Sequence, residues 1–327
     1  MEYSVAQESF DSLAACWADL GRCRLKWDSV FILPAWQEVW WREFGAGNKL
    51  CLTSVRQGET IAGIAPLMIK DDTACLLGGI DVCDYLDFIV APGKESDFFN
   101  VLLDDLRNRG VNRLDLGLLR PDSTVLKQLV GIAGERGYDV ISQPEDVSLE
   151  MELPVDWDTY LSGLSTKQRH EVRRKLRRLA EAGEVNYRLV EDSAAVPEAM
   201  DLFLEMFSGS REDKANFLTA PMESFLRAMA DRMAGIGLLK IGILELDRQP
   251  VAAVICFDYN GCLYLYNSGY NLSYGSIGVG LLAKILCIRE SIRQGKKKFD
   301  FLKGSETYKY HLGGREVPLS RCRITIK

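Results

Sequence analysis

Histidine is scarce in this chain, because only His170 and His311 occur among its 327 residues. The nine cysteines are scattered and none belongs to a C-x-x-C pair, so no familiar zinc-binding spacing can be assembled. With two histidines, the chain also has few residues for Ser-His-Asp or Cys-His catalysis. The sequence therefore predicts no metal site, and any catalysis has to rely on tyrosine, carboxylate, lysine or backbone groups.

Long hydrophobic runs and a targeting signal are lacking as well. The longest apolar stretch, Ile277–Ile288, is interrupted by Lys284 and falls far short of the roughly 20 residues that a membrane span needs. Met1–Gln7 contains an acidic residue and no basic one, unlike a secretory signal. An odd number of unpaired cysteines is typical of buried free thiols in a reducing compartment. We therefore expect a cytoplasmic protein without a membrane span.

Excess positive charge is absent too. The chain has 40 lysines and arginines against 46 aspartates and glutamates, a net charge of −6. This balance argues against a broad nucleic-acid-binding surface but leaves room for a local basic patch. The length and the 47% hydrophobic content suit a globular protein of two domains of about 150 residues each. We expect the domains to span residues 1–150 and 151–327.

The second half of the chain shows the clearest order of elements. Asn260-Gly261 is the residue pair that a two-residue type I′ hairpin favours, because both of its central positions need positive φ. Apolar residues recur at helical spacing from Leu281 until Gly295. The pattern predicts strands at Leu238–Leu246, Pro250–Tyr259, Cys262–Tyr270, Lys298–Leu302 and Ser320–Ile326, with a short helix near Glu306–His311.

The first half resembles the second in the order of its signals. Leu50–Val55, a turn at Gln57-Gly58 and Thr60–Ile69 match the first predicted hairpin of the second half at an offset of about 185 to 190 residues. An offset of this size indicates duplicated domains rather than a short repeat. Chance similarity between amphipathic βα segments is the alternative. The order of turn, strand, helix and terminal glycine favours duplication.

A glycine-rich loop opens the predicted helix of the second half and is missing from the first. Such a helix start offers unpaired N–H groups and a positive dipole end to an anion, and glycine allows close approach of a pyrophosphate. Simple close packing of the helix on a sheet explains the glycines equally well. The candidate residues of this loop are Gly275, Ser276, Ile277, Gly278, Val279 and Gly280.

A strongly basic segment begins the second half. Seven lysines and arginines lie between Lys167 and Arg178, while Val172, Leu176 and Leu179 keep helical spacing. The segment predicts an amphipathic helix that Ser165 or Thr166 caps at its start and Gly183 ends. A solvated face, contact with phosphates of a ligand, and contact with a tRNA acceptor arm are the three interpretations. We favour phosphate contact and name Lys167, Arg169 and Arg173 as candidates.

The predicted elements of the second half follow an order that is typical of a known family. They are three antiparallel strands, a loop of the form G-x-x-G-x-G, a helix, a strand and a short helix with tyrosine. This order resembles the Gcn5-related N-acetyltransferase (GNAT) superfamily. Residues 165–174 (STKQRHEVRR) and 299–309 (FDFLKGSETYK) further resemble the BioF2-like or CelD/BcsL type of acetyltransferase, a group similar to the Fem aminoacyltransferases. The resemblance implies two tandem GNAT-like domains of α/β (α+β) class, each a mixed, mostly antiparallel sheet flanked by helices.

The resemblance also implies transfer of an acyl group from acetyl-CoA, as co-substrate, to an amine or hydroxyl. Tyr308 matches the tyrosine that serves as general acid in single-domain acetyltransferases, and Lys309 matches the lysine of a Fem-type motif near the transferred group. Glu306 and Asp300 are the carboxylates on the same segment. Ordinary structural roles remain the alternative for all four residues. His311 lies one turn beyond Thr307 and could reach the site as a base, although a surface or capping role is favoured for it.

The acceptor implied by the relatives is a sugar or amino sugar of cell-envelope or exopolysaccharide synthesis. The first domain would then be a degenerate acceptor platform, with Asp84 and Asp87 as candidate binding residues, although such acids more often finish a hairpin. One alternative is an aminoacyl-tRNA-dependent Fem-type peptidoglycan transferase. The other is a non-catalytic binding subunit of a polysaccharide machine.

Overall fold

The computed structural model describes residues 2–19, 24–79 and 81–326. They form two compact units, one made of residues up to 147 together with those from 317 onward, and the other of residues 148–316. The strand Asp139–Glu152 therefore begins in the first unit and ends in the second, and Arg315–Thr325 does the reverse.

The first unit contains an antiparallel meander with helices packed on it. A π-helical turn at Val125–Leu129 runs directly into its last helix, and a 3-10 turn lies at Val30–Ile32. The strands are β1 Tyr3–Gln7, β2 Lys49–Gln57, β3 Thr60–Lys70, β4 Thr73–Leu76, β5 Ile89–Val90, β6 Arg113–Leu119 and the start of β7 Asp139–Glu152. The helices are α1 Phe10–Ala18, α2 Pro34–Phe44, α3 Glu95–Asn108 and α4 Val130–Glu135.

The second unit has three helices between its first two complete strands. Its helices are α5 Trp157–Gly163, α6 Thr166–Ala182, α7 Val196–Ser210, α8 Glu212–Phe217, α9 Ala220–Gly235, α10 Val279–Arg293 and α11 Thr307–His311. Its strands are β8 Val185–Val190, β9 Leu239–Leu246, β10 Gln249–Tyr259, β11 Cys262–Tyr270 and β12 Lys298–Lys303. β13 Arg315–Thr325 follows, mostly within the first unit.

The two units share one strand topology. In the first, β1, β2, β3 and β4 pair antiparallel in order, β4 pairs parallel with β6, and β6 pairs antiparallel with β13. In the second, β8 to β11 pair antiparallel in order, β11 pairs parallel with β12, and β12 pairs antiparallel with β7. The predicted class of two tandem domains with mostly antiparallel mixed sheets is confirmed.

The strands and turns predicted for the second half match the structure within a few residues. Asn260 and Gly261 have φ values of 50° and 74°, as a type I′ turn requires. Asp247 and Arg248 make a second turn of this kind, with φ values of 51° and 64°. The helices α7 to α9 and the strand β8 were not predicted. The final strand was expected to belong to the second domain, residues 151–327. In the structure its residues from 320 to 325 pair with β6 of the first unit.

The cysteines of the described residues are free, and all except Cys75 are buried. This fits their prediction as small hydrophobic residues, while Cys23 lies outside the described part of the chain. No helix in the described ranges is long and apolar enough to cross a membrane.

Candidate active site

The parallel pair β11 and β12 opens after a short contact. Its register covers Cys262 to Tyr264 on β11, and the rest of β11 has no pairing to β12. At the same place β11 shifts register against β10, so that Ile255 faces Asn267 and Cys256 faces Leu265. A bulge of this kind bends a strand and increases its twist. One edge of β11 beyond Tyr264 is thereby left without a neighbouring strand.

The corresponding gap in the first unit is occupied by the chain itself. The parallel pairing of β4 and β6 covers Thr73 and Ala74, and beyond it the amide of Leu86 donates to the carbonyl of Leu118 at 3.2 Å. Leu118 has φ of +58°, and Leu302 at the matching place of the second unit has φ of +62°. The two units therefore repeat one local geometry, but only the second leaves its strand edge open to a ligand.

The glycine-rich loop leads from β11 into α10. Gly278 is the N-cap and has φ of +82°, a left-handed conformation that glycine adopts without strain. Val279 and Gly280 are the first helical residues, so their N–H groups have no acceptor within the helix. The predicted candidates Gly275, Ser276 and Ile277 form the preceding turns. The predicted helix start is confirmed, and its amide groups suit an anion.

Close packing also contributes to the choice of glycine here. A Cβ atom at position 280 would lie 2.7 Å from the Tyr270 ring, so only glycine lets α10 approach β11 this closely. A Cβ at position 278 would lie 3.0 Å from the Nζ atom of Lys175. Both interpretations of the loop therefore have support. Gly280 is explained by packing, whereas Gly278 is placed beside a basic side chain of α6.

One face of α6 points toward the loop. Ser165 caps this helix in a capping box with Gln168, as predicted, and Gly183 ends it. The Arg178 guanidinium lies 3.5 Å from the carbonyl oxygen of Ser276. Glu171, the acid on this face, pairs with Arg174 and Lys175, and the hydrogen bond from Arg174 lowers the pKa of Glu171 to about 2. The face consists of Lys167, Glu171, Arg174, Lys175 and Arg178.

A groove of about 600 Å³ lies between α6, α10 and α11. Its floor is apolar and its rim is basic, a combination that suits an anionic ligand with an apolar or aromatic part. The apolar lining residues are Val172, Leu281, Ile285 and Leu312. The polar ones are Ser165, Lys167, Gln168, His170, Glu171, Arg174, Lys175 and His311.

The three basic residues predicted on α6 are placed differently. Lys167 lines the groove, as a phosphate-contacting residue would. Arg169 and Arg173 do not line it, because a spacing of two and six residues from Lys167 places them on other faces of the helix. The structure therefore favours Arg174, Lys175 and Arg178 over Arg169 and Arg173. Counting basic residues could not distinguish them without the position of α10.

Tyr308 lies on α11 beside the opened strands. The centroids of the Tyr308 and Phe301 rings lie 6.5 Å apart. The Nζ atom of Lys284 lies 5.0 Å from the centroid of the Tyr308 ring. Among the described residues none makes a hydrogen bond with its hydroxyl group. Burial, with a smaller contribution from Glu306, raises the pKa of Tyr308 above its ordinary value. The hydroxyl therefore keeps its proton at neutral pH, as a general acid must.

Lys309 has a different environment from the one predicted for it. Its ammonium is buried and donates to the carbonyls of Leu302, Lys303 and Gly304 at 3.0, 2.5 and 3.1 Å. It also lies 2.9 Å from the carboxylate of Glu306. These partners use all three of its protons. These contacts favour a role of Lys309 in fixing the loop after β12, and Glu306, which is half exposed, completes this arrangement. The contact of Lys309 with the transferred group stays a prediction.

Asp300 is also held by its own strand. It is buried, and its Oδ1 atom accepts the amide proton of Leu302 at 2.8 Å. This bond spans the irregularity where the pairing of β12 with β7 shifts between Asp300 and Leu302. Alternation along a regular strand predicted a side chain facing the cleft. The hydrogen bond to Leu302 supports a structural role for Asp300, and its catalytic role stays a prediction.

The two predicted acceptor-binding acids lie in the first unit. Asp84 is buried. Asp87 accepts from the amide of Phe88 and from both the amide and the hydroxyl of Thr124, at 2.7 to 2.9 Å. Burial raises the pKa of Asp87 to about 6 despite these bonds. The carboxylate of Asp87 thus anchors the turn before the helical segment at Val125.

Two lysines near Tyr308 were not predicted as site residues. Lys284 on α10 is buried and donates to the carbonyl of Gly280 at 3.0 Å. Lys214 on α8 donates to the carbonyl of Ser268 on β11 and lies 4.9 Å from the centroid of the Phe207 ring. The sequence held a signal for Lys284, since this lysine interrupts the longest apolar stretch. Lys214 stands in an ordinary polar segment and gave no such signal.

Comparison with known proteins agrees with this geometry. Residues 166–310 match a family model described as an acetyltransferase (GNAT) domain. The second unit therefore contains a GNAT-type domain, and the chain has a GNAT-like fold with similarity to Fem proteins. A search of curated protein sequences finds no match.

Three solved structures illustrate the likeness in fold. FemX is 10% identical with a TM-score of 0.64, and the match covers 98% of this chain and 97% of FemX. A tandem GNAT protein from the clavulanic acid biosynthesis pathway is 12% identical with a TM-score of 0.51, covering 98% of both chains. The C-terminal domain of a putative lysylphosphatidylglycerol synthetase from Agrobacterium fabrum is 12% identical with a TM-score of 0.54, covering 81% of both.

Proposed function

We propose that this protein is an acyltransferase that takes its acyl group from acetyl-CoA bound to the second unit. The main observation in support of this proposal is the start of α10. Its free amide groups lie next to the basic face of α6, beside the opened pair of β11 and β12. A GNAT-type domain at residues 166–310 supports the same reaction class. When bound, acetyl-CoA would supply an activated thioester.

The residues present suit such a donor. The amides of Val279 and Gly280 would hold the pyrophosphate, and Lys175 and Arg178 would add positive charge to it. The groove between α6, α10 and α11 has the apolar floor and basic rim that a nucleotide with a phosphate needs. The open edge of β11 beyond Tyr264 would pair with the pantetheine amides as an added strand does, and its N–H groups would polarise the acyl carbonyl.

The acceptor we propose is an amine or hydroxyl of a sugar or amino sugar used in cell-envelope or exopolysaccharide synthesis. The proposal rests on the resemblance of residues 165–174 and 299–309 to the CelD/BcsL type of acetyltransferase. Tyr308 would return a proton to the departing thiolate. Lys309, Glu306 and Asp300 would hold the segment that carries Tyr308.

An aminoacyl-tRNA donor is the second candidate, and the FemX likeness in fold is the observation that favours it. A net charge of −6 makes a broad RNA-binding surface less suitable than a compact phosphate site. A binding subunit without catalysis is the third candidate. These functions differ in the ligand that stabilises the protein.

The test is thermal unfolding with and without acetyl-CoA. At 100 times its Kd, a ligand stabilises the folded state by about 2.7 kcal/mol, which raises the Tm by roughly 5 to 10 °C for a domain of this size. Dephospho-CoA is expected to give a smaller shift, because it lacks the phosphate that the basic rim would contact. No shift at millimolar acetyl-CoA, with salt-sensitive binding of aminoacyl-tRNA instead, would favour the second candidate. Acetyl-CoA binding followed by transfer to amino sugars separates the enzyme from the binding subunit.

A further inference from the structure

Lys284 occupies a place where packing alone does not call for a lysine. It follows Gly280 by four residues on α10 and so shares the helix face that packs against Tyr270 of β11. Only 8% of the residue is exposed. Its Nζ atom lies 3.0 Å from the Gly280 carbonyl and 5.0 Å from the Tyr308 ring centroid. In the part of the chain that the structure describes, no carboxylate lies within ion-pair distance of it.

The charges around Lys284 come from four elements. Lys214 on α8 disfavours a second positive charge, while Glu306 next to α11 and the thiols of Cys287 on α10 and Cys256 on β10 favour one. Burial is the largest influence, and together with Lys214 it lowers the pKa of Lys284 to about 7. The positive end of the α10 dipole acts in the same direction. The amine is therefore available in its neutral form near neutral pH.

We propose that Lys284 is the general base of the acyl transfer and works as a pair with Tyr308. The inference rests on the proposed function and names the base that the sequence did not identify. Lys284 shares a helix face with Gly280, which packs on Tyr270 in the part of β11 that has no pairing to β12, and Tyr308 packs near Phe301 of β12. The acyl carbon of the donor would lie next to this opened pair of strands. A neutral amine bonded to the Gly280 carbonyl through one N–H retains a lone pair for a proton.

The proton transfers balance within this pair. The N–H or O–H bond of the acceptor breaks and its proton goes to the Lys284 Nζ atom, while the acceptor atom forms a bond with the acyl carbon. The bond from the acyl carbon to the donor sulfur breaks, and Tyr308 gives its proton to that sulfur. The ammonium of Lys284 then returns a proton to the Tyr308 oxygen. The products are the acylated acceptor and the free thiol.

Lys214 acts on this step as a positioning residue. Its ammonium is fixed on the Ser268 carbonyl of β11, and burial lowers its own pKa to about 8. Its positive charge adds to the effect of burial in lowering the pKa of Lys284. Replacing Lys214 with methionine is therefore expected to shift the titration of Lys284 to higher pH, an effect that a purely structural role would not produce.

The first experiment follows lysine titration by NMR in the full-length protein labelled with ¹³C at lysine Cε. One resonance is expected to titrate with a midpoint near pH 7, to be absent in Lys284→Met, and to move to higher pH in Lys214→Met. Lys297→Met, which removes an exposed lysine of the same unit, is the matched control and leaves this resonance unchanged. A Lys284 midpoint above pH 9 overturns the proposal.

The second experiment measures kcat/KM against pH with acetyl-CoA and the amino-sugar acceptor that the transfer assay identifies. Wild type is expected to show activity that rises with pH through about 7, and Lys284→Met to lose that rise and about 100-fold of the rate. Acetyl-CoA should still raise the Tm of this variant. Unchanged transfer by Lys284→Met overturns this inference alone, whereas absence of acetyl-CoA binding in wild type overturns the donor assignment together with it.

Discussion

Two neighbouring residues of α11 differ in the number of partners that their polar groups have. The Tyr308 hydroxyl makes no hydrogen bond with any described residue, so its proton is available. The Lys309 ammonium has three carbonyls and a carboxylate as partners. Family resemblance assigned catalysis to both residues. Their contacts support it for Tyr308 and favour loop stabilisation for Lys309.

Replacing Lys309 with methionine is expected to lower the free energy of unfolding of the second unit by about 3 kcal/mol. The reason is that one buried and two partly buried carbonyls, together with Glu306, lose their common donor. Urea denaturation measures the change, with Lys297→Met as a control that stays within about 0.5 kcal/mol of wild type. A Lys309→Met protein of full stability without activity would instead indicate a catalytic lysine.

Replacing Lys284 with methionine is expected to stabilise the protein at low pH. The lysine has a pKa of about 7 when folded and close to 10.5 when unfolded, so the unfolded state binds more protons between these values. Wild type therefore gains stability as the pH rises from 7 to 10.5. Urea titrations should show an advantage of Lys284→Met of a few kcal/mol at pH 6, based on about 1.4 kcal/mol per pKa unit, that shrinks by pH 10. An advantage that does not vary with pH would refute the shifted pKa.

At the scale of elements, the start of α10 combines packing with ligand binding. Gly280→Val places a methyl-bearing carbon where the Tyr270 ring now lies and is expected to separate α10 from β11. We expect loss of about 2 kcal/mol of stability, by analogy with overpacked cores, and loss of the acetyl-CoA-dependent Tm shift. Gly209→Ala, at a helix position with no atom within 4 Å of the added carbon, is the matched control. It should keep the Tm shift in full.

A second prediction concerns the basic residues of α6 and follows from the orientation of this helix. Reversing charge with Lys175→Glu or Arg178→Glu is expected to weaken acetyl-CoA binding about tenfold, since each side chain lies next to the glycine-rich loop. Arg169→Glu and Arg173→Glu, on other faces of the helix, should change the Kd less than twofold. Calorimetric titrations at low and high salt measure the difference, which salt screening should reduce. Equal effects of all four variants would indicate a general charge effect.

These elements also show what sequence alone could predict. Periodicity and turn residues predicted β9 to β12, α10 and the capped helix α6, because each signal is local. The side-chain roles depended on distant contacts that no local pattern contains. Asp300 bonds the amide of Leu302 across a strand irregularity, and Lys309 bonds carbonyls of the preceding loop. Lys175 and Arg178 could be related to the glycine-rich loop only once the position of α10 was known.

At the scale of the whole molecule, the two units of the duplicated fold differ in whether the gap between two strands is filled. The offset of about 185 to 190 residues agrees with the matching strand topologies of the two units. Leu118 and Leu302, which both have a left-handed backbone conformation, lie at matching places in these topologies. The first unit fills its strand gap with its own chain through Leu86, while the second keeps the gap open. Length and composition predicted two domains. The closing of one gap depends on tertiary packing of residues 81–88, which the sequence pattern did not reveal.

The most direct test of the account is hydrogen exchange of the full chain with and without saturating acetyl-CoA. We predict slower exchange in residues 262–282 and 302–311 of the second unit, with no change in residues 73–90 and 113–119 around the closed gap of the first. Protection confined to the first unit, or no protection in either, would contradict the assignment of the donor site to the start of α10.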